Sequence, residues 1–589
     1  MRSIMLGNEA VARGAYEAGV RVVSSYPGTP STEITESTAR YSGIHTEWAP
    51  NEKVALEVAI GASVAGGRSM SAMKHVGLNV AADPLFTLAY TGVGAGLVVV
   101  VADDPGMHSS QNEQDSRRYA VAARVPMLEP ADSAECRSFV LRAFELSERF
   151  DTPVLVRLTT RVAHSRTAVE TGERLEAPLR AFVHDPAKYV MMPSNAKARR
   201  VVLESRIAEL ARYCEDEAES AGLHRWIRKG TRLGVVTSGI GFSYAEEALP
   251  DASILKLGMV WPVPVGLVRR FAATVDRLVV VEELDPVLET ELRAAGIELE
   301  GKGLLPRIGE YSAATLRRAL GDDDRKPAAF APGSLPEAPV RPPVLCAGCP
   351  HKGVFLALAR VKAVVCGDIG CYTLGALPPM KAMDTCVCMG ASIGMAHGMD
   401  MAAGREFAAR TIAVIGDSTF LHSGMTGLLN TVYNGGASTV LILDNSITGM
   451  TGHQQNPSTG KDIHGNAAPA VDLEALCRAL GVRRVRVVDP NDTFATERAL
   501  REEMAVPEPS VLIARSPCAL LPDACRDDVL YRVEPSACTK CRACLKAICP
   551  AMSGGYDGPV VIDPEMCNGC GLCARFCKFD AIRKEDATS

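Results

Sequence analysis

Eight cysteines near the C-terminus fall into two runs of nearly equal spacing, and no other feature of the chain constrains its fold so strongly. In each run three cysteines follow one another at intervals of three residues, and a fourth comes shortly afterwards. Three thiolates at this spacing bind one face of an iron–sulfur cube, while the fourth cysteine of each run binds the other cube. The sequence therefore predicts two clusters and one-electron chemistry. The runs are Cys538, Cys541, Cys544 and Cys549, then Cys567, Cys570, Cys573 and Cys577.

The two runs are predicted to lie in an α+β module that spans residues 526–589 and resembles a two-cluster ferredoxin. They begin 29 residues apart, each after a short apolar strand, at 529–533 and 559–562. Alternative interpretations are structural zinc, which usually takes its ligands in two pairs, and disulfides. The predicted ligand sets are Cys538, Cys541, Cys544 and Cys577 for the first [4Fe–4S] cluster, and Cys567, Cys570, Cys573 and Cys549 for the second.

Composition and charge exclude several classes of protein. The 589 residues carry a net charge of −6 and show no basic face, so a nucleic-acid partner is not expected. The most apolar run, residues 93–102, is far shorter than the roughly 20 residues that a membrane helix needs. We expect it to form a buried parallel strand, with no membrane partner. Nineteen cysteines in a chain without an export signal favour metal ligation in the cytoplasm over disulfides.

Apolar strands alternate with amphipathic stretches before the C-terminal module, a pattern that is typical of α/β domains with parallel sheets. A charged, helix-like stretch at 190–225 and a proline-rich stretch at 332–343 interrupt this pattern. We expect α/β domains at 1–165, 228–330 and 344–525, with a helical connector or insertion at 166–227 and a linker at 331–343. The polar segment 103–118 is predicted to be a solvated loop, in which Arg117 or Arg118 could pair with a carboxylate.

Polar residues follow two predicted strands of the third α/β domain. The strand at 411–415 leads into Gly416, Asp417 and Ser418, and the strand at 439–443 leads towards Asn445. Ligands of open parallel sheets bind at such strand ends. The Asp417 carboxylate, the Asn445 amide oxygen and the carbonyl oxygen of Ile447 could hold Mg²⁺ together with a diphosphate. The alternative is a tight turn followed by a capping asparagine.

The spacing of this Gly-Asp-Ser motif and its distant asparagine resembles the Mg²⁺–thiamine diphosphate motif, and the surrounding sequence extends the resemblance. The segments CAGCPH (346–351), GDIGCY (367–372) and MGASIG (389–394) resemble the thiamine domain of the 2-oxoacid:ferredoxin oxidoreductases. SYPGTPS (25–31) resembles the substrate loop of their pyrimidine-binding domain. The domain order, over nearly the whole chain, is similar to that of the large (alpha) subunits of indolepyruvate:ferredoxin oxidoreductases.

The resemblance implies roles for further residues and domains. Domain 1–165 is expected to be the pyrimidine-binding domain and 228–330 a transketolase C-terminal-like domain, with the thiamine site between 1–165 and 344–525, within or across chains. Glu52 is expected to contact the pyrimidine ring of thiamine diphosphate, and Thr29 is expected to hydrogen-bond the substrate. The alternative for Glu52 is an acid that is merely favoured by the helix dipole near the start of its helix. The alternative for Thr29 is an ordinary turn residue. A third [4Fe–4S] cluster is expected on Cys346, Cys349, Cys371 and Cys518, with rival ligands Cys366, Cys386 and Cys388.

The activity that the resemblance implies is the oxidative decarboxylation of a 2-oxo acid, with an aryl pyruvate such as indolepyruvate favoured over branched or simple acids. Coenzyme A takes the acyl group and ferredoxin takes the electrons. The expected partner is a smaller beta-type subunit in an α₂β₂ heterotetramer. Two alternatives are a non-oxidative thiamine decarboxylase, which would leave the cysteines without a role, and an electron-transfer subunit with an inactive thiamine site.

Overall fold

A computed structural model describes residues 2–321, 339, 342–522, 529–554 and 558–586. The chain forms two compact units, Met1–Pro336 and Glu337–Ser589. Most of the predicted linker at 331–343 lies outside the described residues.

The first unit contains a seven-stranded sheet whose strands are parallel except for one edge strand. Its central strand, Leu97–Asp103, is buried at every position, as expected for a strand covered by helices on both faces. This strand covers residues 97–102 of the apolar run at 93–102 that was expected to form a buried parallel strand. In sheet order the strands are Met259–Trp261, Met127–Leu128, Val154–Thr159, Leu97–Asp103, Ser69–Lys74, Val22–Ser25 and His45–Trp48.

A second, four-stranded sheet lies in the same unit, and a separate antiparallel pair joins Arg2–Leu6 to Arg166–Glu170. Two strands differ from the predicted domain limits. His224–Ile227 precedes residue 228 but forms the antiparallel edge of the second sheet, while Met259–Trp261 from the middle domain joins the first sheet. The strands of the second sheet, in order, are Leu278–Val281, Gly234–Thr237, Ser253–Leu257 and His224–Ile227.

The helices of the first unit pack on these sheets or on one another. The long helix Pro193–Asp216 falls within the stretch predicted to be helical, and it buries Leu203 and Leu210. The other helices are Gly7–Glu17, Thr32–Thr38, Glu52–Val64, His75–Val80, Ala82–Thr91, Arg117–Ala123, Ser133–Phe150, Thr160–His164, Pro186–Tyr189, Gly239–Ala248, Val265–Ala272, Val287–Ala294 and Ala313–Leu320.

The second unit begins with a five-stranded sheet, and all five strands are parallel. Thr411–Gly416 and Thr439–Asp444 are central and buried at every position. In order the strands are Val364–Cys366, Thr411–Gly416, Thr439–Asp444, Ser510–Arg515 and Arg484–Val488. The accompanying helices are His351–Val361, Cys371–Ala376 (3₁₀), Ala391–Ala403, Arg405–Ala408, Asp417–Thr419, Phe420–Gly424 (π), Met425–Tyr433, Leu473–Ala479 and Thr493–Met504.

The C-terminal cysteine runs lie in a small α+β module of the second unit. Val529–Val533 pairs antiparallel with Ile582–Asp586, and Met552–Ser553 pairs antiparallel with Val561–Ile562. Each cysteine run contains one short helix that includes its third cysteine. These are the 3₁₀ helix Ala543–Ala547 in the first run and the α-helix Leu572–Arg575 in the second. The three parallel-sheet domains and this module confirm the predicted fold class. Of the helices in the described ranges, none combines the length and apolarity required to cross a bilayer.

Candidate active site and electron-transfer centres

Two neighbouring strands bring Asp417 and Asn445 together. In the parallel register Gly416 pairs with Leu443, so the residues that follow each strand emerge at the same edge of the sheet. Both side chains are buried, at 2% and 7% exposure. The motif predicted from the sequence therefore meets in space at the carboxyl end of the sheet.

Three oxygen-bearing groups converge at this edge. One atom of the Asn445 amide lies 2.9 Å from the carbonyl oxygen of Ile447 and 3.2 Å from Oδ1 of Asp417. Both neighbours are acceptors, so either the amide nitrogen donates to them or the amide oxygen shares a cation with them. Burial raises the pKa of Asp417 to about 7, and the nearby Asp444 carboxylate adds to this rise. A divalent cation would compensate the buried charge, so these residues fit Mg²⁺.

A polar loop after Asn445 adds residues that sequence reasoning missed. Ser458 Oγ lies 3.4 Å from Oδ2 of Asp417, and Thr448 Oγ1 donates to Ser418 Oγ at 3.0 Å. Asn456 Nδ2 in turn contacts Thr448 at 3.4 Å. The sequence signal was weak: a run of Thr, Gln, Asn and Ser is equally typical of a solvated loop.

Gly416 is required by close packing at this edge. A Cβ built on it would lie 2.8 Å from Cε1 of Tyr372, so a larger residue would displace that ring. Tyr372 is itself buried, and its hydroxyl donates to the carbonyl oxygen of Ile369 at 3.0 Å. The contact with Tyr372 is therefore a structural reason for the small size of residue 416.

The four cysteines predicted for a third cluster are near enough for their charges to act on one another. Burial raises the pKa of the Cys349 thiol to about 12, and the charges of Cys346 and Cys371 raise it further. Burial likewise raises the pKa of Cys371, with added contributions from Cys518 and Cys346. Thiolates are the ligands that select an iron–sulfur cluster or zinc, so these four cysteines fit either group.

This quartet, which we call the proximal quartet, adjoins the Asp417–Asn445 site. A Cβ built on Gly449 would lie 3.6 Å from Sγ of Cys371 and 3.8 Å from Nδ2 of Asn445. The backbone N–H of Cys518 also donates to the carbonyl oxygen of Asn445 at 2.9 Å. The two sites are therefore built from the same loops.

The rival cysteines lie elsewhere. Cys366 is buried in the core, with Sγ 3.5 Å from Sδ of Met399. Sγ of Cys386 faces the carbonyl oxygen of Asp368 at 3.6 Å, and the charge of Cys388 acts on Cys386. Asp368, fully buried, accepts hydrogen bonds from the N–H groups of Gly390 and Ser392 and so holds the start of helix Ala391–Ala403.

The C-terminal module contains two cavities, and each is lined by four cysteines from both runs. All the cysteines in the part of the chain that the structure describes are free thiols, so the eight form no disulfide here. Cys538, Cys541, Cys544 and Cys577 line one cavity. Cys549, Cys567, Cys570 and Cys573 line the other. The crossed grouping is the one that the sequence spacing predicts.

In the first unit, Glu52 is the first residue of helix Glu52–Val64 and is only 3% exposed. Asn51 precedes it and caps the helix, accepting from the N–H of Val54 at 2.9 Å. The carboxylate packs on helix His75–Val80, where a Cβ built on Gly77 would lie 2.6 Å from Oε1 of Glu52. The glycine therefore makes room for this acid.

Lys74 connects Glu52 with the predicted substrate loop, and sequence reasoning missed it. Burial lowers the pKa of Lys74, whereas the charges of Asp104 and Glu52 raise it. Its stem lies 3.2 Å from a Cβ built on Gly28, directly before the half-buried Thr29. Ser109 Oγ lies 3.4 Å from the carbonyl oxygen of Thr29. The sequence signal that could have identified Lys74 is its place as a cation at the end of the buried strand Ser69–Lys74.

The prediction of a solvated loop at 103–118 is wrong for Arg117. Its guanidinium is 1% exposed and pairs with Asp115 and Glu282, each at 2.6 Å. Arg118 is exposed and pairs with Asp285 at 3.1 Å. The buried pairs tie this segment to the second sheet, because Glu282 directly follows the strand Leu278–Val281.

Three family models match the chain. Residues 13–203 match the thiamine diphosphate-binding model of the pyruvate flavodoxin/ferredoxin oxidoreductases. Residues 368–514 match the C-terminal TPP-binding domain of thiamine pyrophosphate enzymes. Residues 560–583 match a 4Fe-4S binding domain. The strand-end site and the second cysteine run fall within matched regions.

Curated relatives extend over nearly the whole chain. The indolepyruvate oxidoreductase subunit IorA of Methanothermobacter thermautotrophicus is 42% identical, covering 99% of this chain and 97% of the relative. The IorA subunit of Archaeoglobus fulgidus is 40% identical, covering 98% and 97%. The 2-oxoglutarate synthase subunit KorA of M. thermautotrophicus is 26% identical over 51% of this chain and 93% of its own length. The chain therefore belongs to the IorA family of 2-oxoacid oxidoreductases, enzymes with thiamine pyrophosphate-binding domains and a C-terminal 4Fe–4S domain.

Proposed function

We propose that the chain catalyses the coenzyme A-dependent oxidative decarboxylation of a 2-oxo acid to an acyl-CoA and CO₂, and passes the electrons to ferredoxin. It acts with a smaller beta-type subunit in an α₂β₂ heterotetramer. The proposed substrate is indolepyruvate or another aryl pyruvate, which is supported by the name of the relatives that are about 40% identical.

The observation that carries this proposal is the contact between the proximal quartet and the strand-end site. Cys371 approaches Gly449 beside Asn445, and Cys518 hydrogen-bonds the Asn445 backbone. A decarboxylase without electron transfer has no need of a thiolate quartet at this position. The arrangement supports an oxidation in which electrons leave the cofactor through an adjacent cluster.

Asp417, Asn445 and the carbonyl oxygen of Ile447 would hold Mg²⁺ and, through it, the diphosphate. Thiamine diphosphate, when bound, supplies the carbanion chemistry, and the protein supplies position and electrostatics. Ser418 at the start of helix Asp417–Thr419 and the Ser458 hydroxyl complete the polar lining.

Glu52 and Thr29 would act on the cofactor and the substrate. The buried Glu52 carboxyl group would hydrogen-bond the pyrimidine ring nitrogen and make the exocyclic amine a better base. The Thr29 hydroxyl would donate to the substrate carboxylate or keto oxygen. Lys74, which neighbours both segments, would supply positive charge for the carboxylate.

Electrons would pass from the proximal quartet to the quartet of Cys549, Cys567, Cys570 and Cys573, and then to that of Cys538, Cys541, Cys544 and Cys577. The middle position of the former is supported by its cavity, which Cys349 also lines. The outer position of the latter is supported by the exposure of Cys541, which suits delivery to a separate ferredoxin.

The test is an anaerobic purification of the chain with its partner subunit. We expect bound thiamine diphosphate, iron for three clusters, and coenzyme A-dependent reduction of a viologen dye by indolepyruvate in preference to branched or simple 2-oxo acids. Absence of thiamine diphosphate and of dye reduction would instead favour an electron-transfer subunit. Decarboxylation without dye reduction would favour a non-oxidative enzyme.

The third cluster has its own test. Cys518→Ala is expected to lower the iron content by about four atoms while the signals of the two C-terminal clusters persist. Cys388→Ala is the matched control, because Cys388 lies with Cys386 and Asp368 instead. Equal iron in wild type and Cys518→Ala, or an iron loss in Cys388→Ala, would contradict the assignment.

A further inference from the structure

Lys352 is a buried cation that the proposed function does not use. It lies on helix His351–Val361, three residues after Cys349, and is 2% exposed. Its Nζ has no hydrogen-bond partner among the residues that the structure describes. Burying a cation without a partner is costly, so a lysine here calls for a compensating anion.

The groups around Lys352 are cysteines of two quartets. Burial lowers the pKa of Lys352, while thiolate charges at Cys549, Cys349, Cys570 and Cys346 raise it. Lys352 also lines the cavity of Cys549, Cys567, Cys570 and Cys573. Its ammonium group therefore lies where both the proximal quartet and this middle quartet act on it.

We propose that Lys352 is a positioning residue for electron transfer, whose ammonium group faces the cavity of the middle quartet, would donate to the sulfide of a cluster bound there and raises the reduction potential of that cluster. The proposal rests on the proposed function, since it requires that this quartet binds a [4Fe–4S] cluster. Hydrogen bonds to cluster sulfurs and nearby charge are the main means by which a protein sets such potentials.

The electron balance explains the direction of the effect. Each cluster gains one electron when it is reduced, so its net charge becomes more negative by one. A fixed positive charge in a water-poor site stabilises this reduced form more than the oxidised form. The proton stays on Nζ throughout, and no bond is formed or broken. The middle cluster would thus accept an electron readily from the proximal one.

The first experiment is a potentiometric titration of the anaerobic holoenzyme, followed by electron paramagnetic resonance. Lys352→Met is expected to lower the midpoint potential of one cluster by at least about 59 mV. For a one-electron step this shift corresponds to a tenfold change in the equilibrium constant of reduction. Lys352→Arg, which keeps the charge, is expected to retain most of the wild-type potential. Lys578→Met is the matched control, because Lys578 is exposed and acts on Cys541 of the outer quartet.

A second measurement uses the wild-type protein and covers the case in which Lys352→Met loses iron. Pulsed electron paramagnetic resonance of the reduced enzyme, labelled with ¹⁵N-lysine, is expected to show a lysine nitrogen coupled to one cluster. Lys352→Arg should lose this coupling. Unchanged midpoints in an iron-replete Lys352→Met, or no lysine coupling in wild type, would overturn the inference. Iron for fewer than three clusters in wild type would instead count against the proposed function.

Discussion

Glu52 satisfies a local rule for the start of a helix, but its surroundings go beyond what that rule requires. A carboxylate in the first turn of a helix is stabilised by the helix dipole, which alone would account for an exposed glutamate. Glu52 is instead buried against Gly77 and next to Lys74. Burial of an acid beside a cation is an arrangement that recurs at active sites.

Glu52→Gln is expected to retain bound thiamine diphosphate and to lower turnover by about 10²- to 10⁴-fold, the usual contribution of an acid–base group. Glutamine keeps the shape but cannot exchange the proton. Stopped-flow dye reduction and a cofactor assay would measure both quantities. Glu57→Gln, an exposed position on the same helix, is the control and should leave turnover unchanged. Wild-type turnover in Glu52→Gln would refute the role.

Asp417→Ala is expected to weaken Mg²⁺-dependent binding of thiamine diphosphate by at least about 10- to 100-fold, the range found when even the supports of metal ligands are removed. Ser458→Ala should cost less, since it removes one hydroxyl 3.4 Å from Asp417. Isothermal titration calorimetry of the cofactor-stripped protein would give both affinities. Equal affinity in Asp417→Ala and wild type would show that the metal binds elsewhere.

The residues predicted correctly to come together were those whose spacing carries geometry. Cysteine intervals fix which thiolates share a cavity, and strand ends of a parallel sheet meet at one edge. Lys74, Asp368 and Lys352 could not be recognised in this way. Each matters because of what lies beside it in the folded chain, and a single lysine or aspartate carries no periodic signal.

At the scale of elements, several strands were predicted within one or two residues, whereas the strand expected at 93–102 begins only at Leu97. Val529–Val533 has the limits that the sequence predicts, and Thr411–Gly416 and Thr439–Asp444 each extend one residue further than expected. Continuous β-branched and aliphatic runs mark such strands clearly. Met259–Trp261 and Arg166–Glu170 were missed, because short edge strands are held by their partners rather than by their own pattern.

The segment around Arg117 shows that a polar sequence need not be exposed. Arg117→Met is expected to lower the free energy of unfolding by about 3–5 kcal/mol, because it leaves Asp115 and Glu282 buried without their partner. Arg118→Met, which breaks only the exposed pair with Asp285, should cost about 0–1 kcal/mol. Urea denaturation followed by circular dichroism would compare the two. Similar losses of unfolding free energy in both variants would mean that the buried pairs stabilise the fold no more than the exposed pair does.

At the scale of the whole molecule, pH should affect stability through Glu283. Burial raises its pKa to about 7 from an ordinary 4.5, although the N–H of Tyr311 donates to it at 2.8 Å. The folded state therefore holds this proton more tightly than the unfolded state. Its contribution to stability is complete below about pH 4.5 and is lost as pH rises through 7, a difference of up to about 3 kcal/mol.

Glu283→Gln should remove this dependence, so the variant is expected to lose less stability than wild type between pH 5 and pH 8. Thermal unfolding followed by calorimetry at the two pH values measures the difference. Glu246→Gln, which changes an exposed carboxylate on helix Gly239–Ala248, is the control. Parallel pH profiles for Glu283→Gln and wild type would show that another group is responsible.

Three α/β regions followed by a cysteine-rich module were predictable from the sequence, but the way in which the sheets share strands was not. The second sheet takes its edge strand from the connector, and the first sheet takes one from the middle domain. Such exchanges depend on long-range pairing, for which composition and periodicity give no signal.

Helix His351–Val361 joins the cysteine module to the five-stranded sheet domain. Leu356 packs on the module core, and the guanidinium of Arg360 lies 5.1 Å from the ring centroid of Phe576. The module is therefore packed against the sheet domain and is not a mobile domain that must collide with its electron donor. Electron transfer within this unit should be unimolecular, so its rate should not change with dilution or with solvent viscosity. Only delivery to the outside acceptor should follow second-order kinetics.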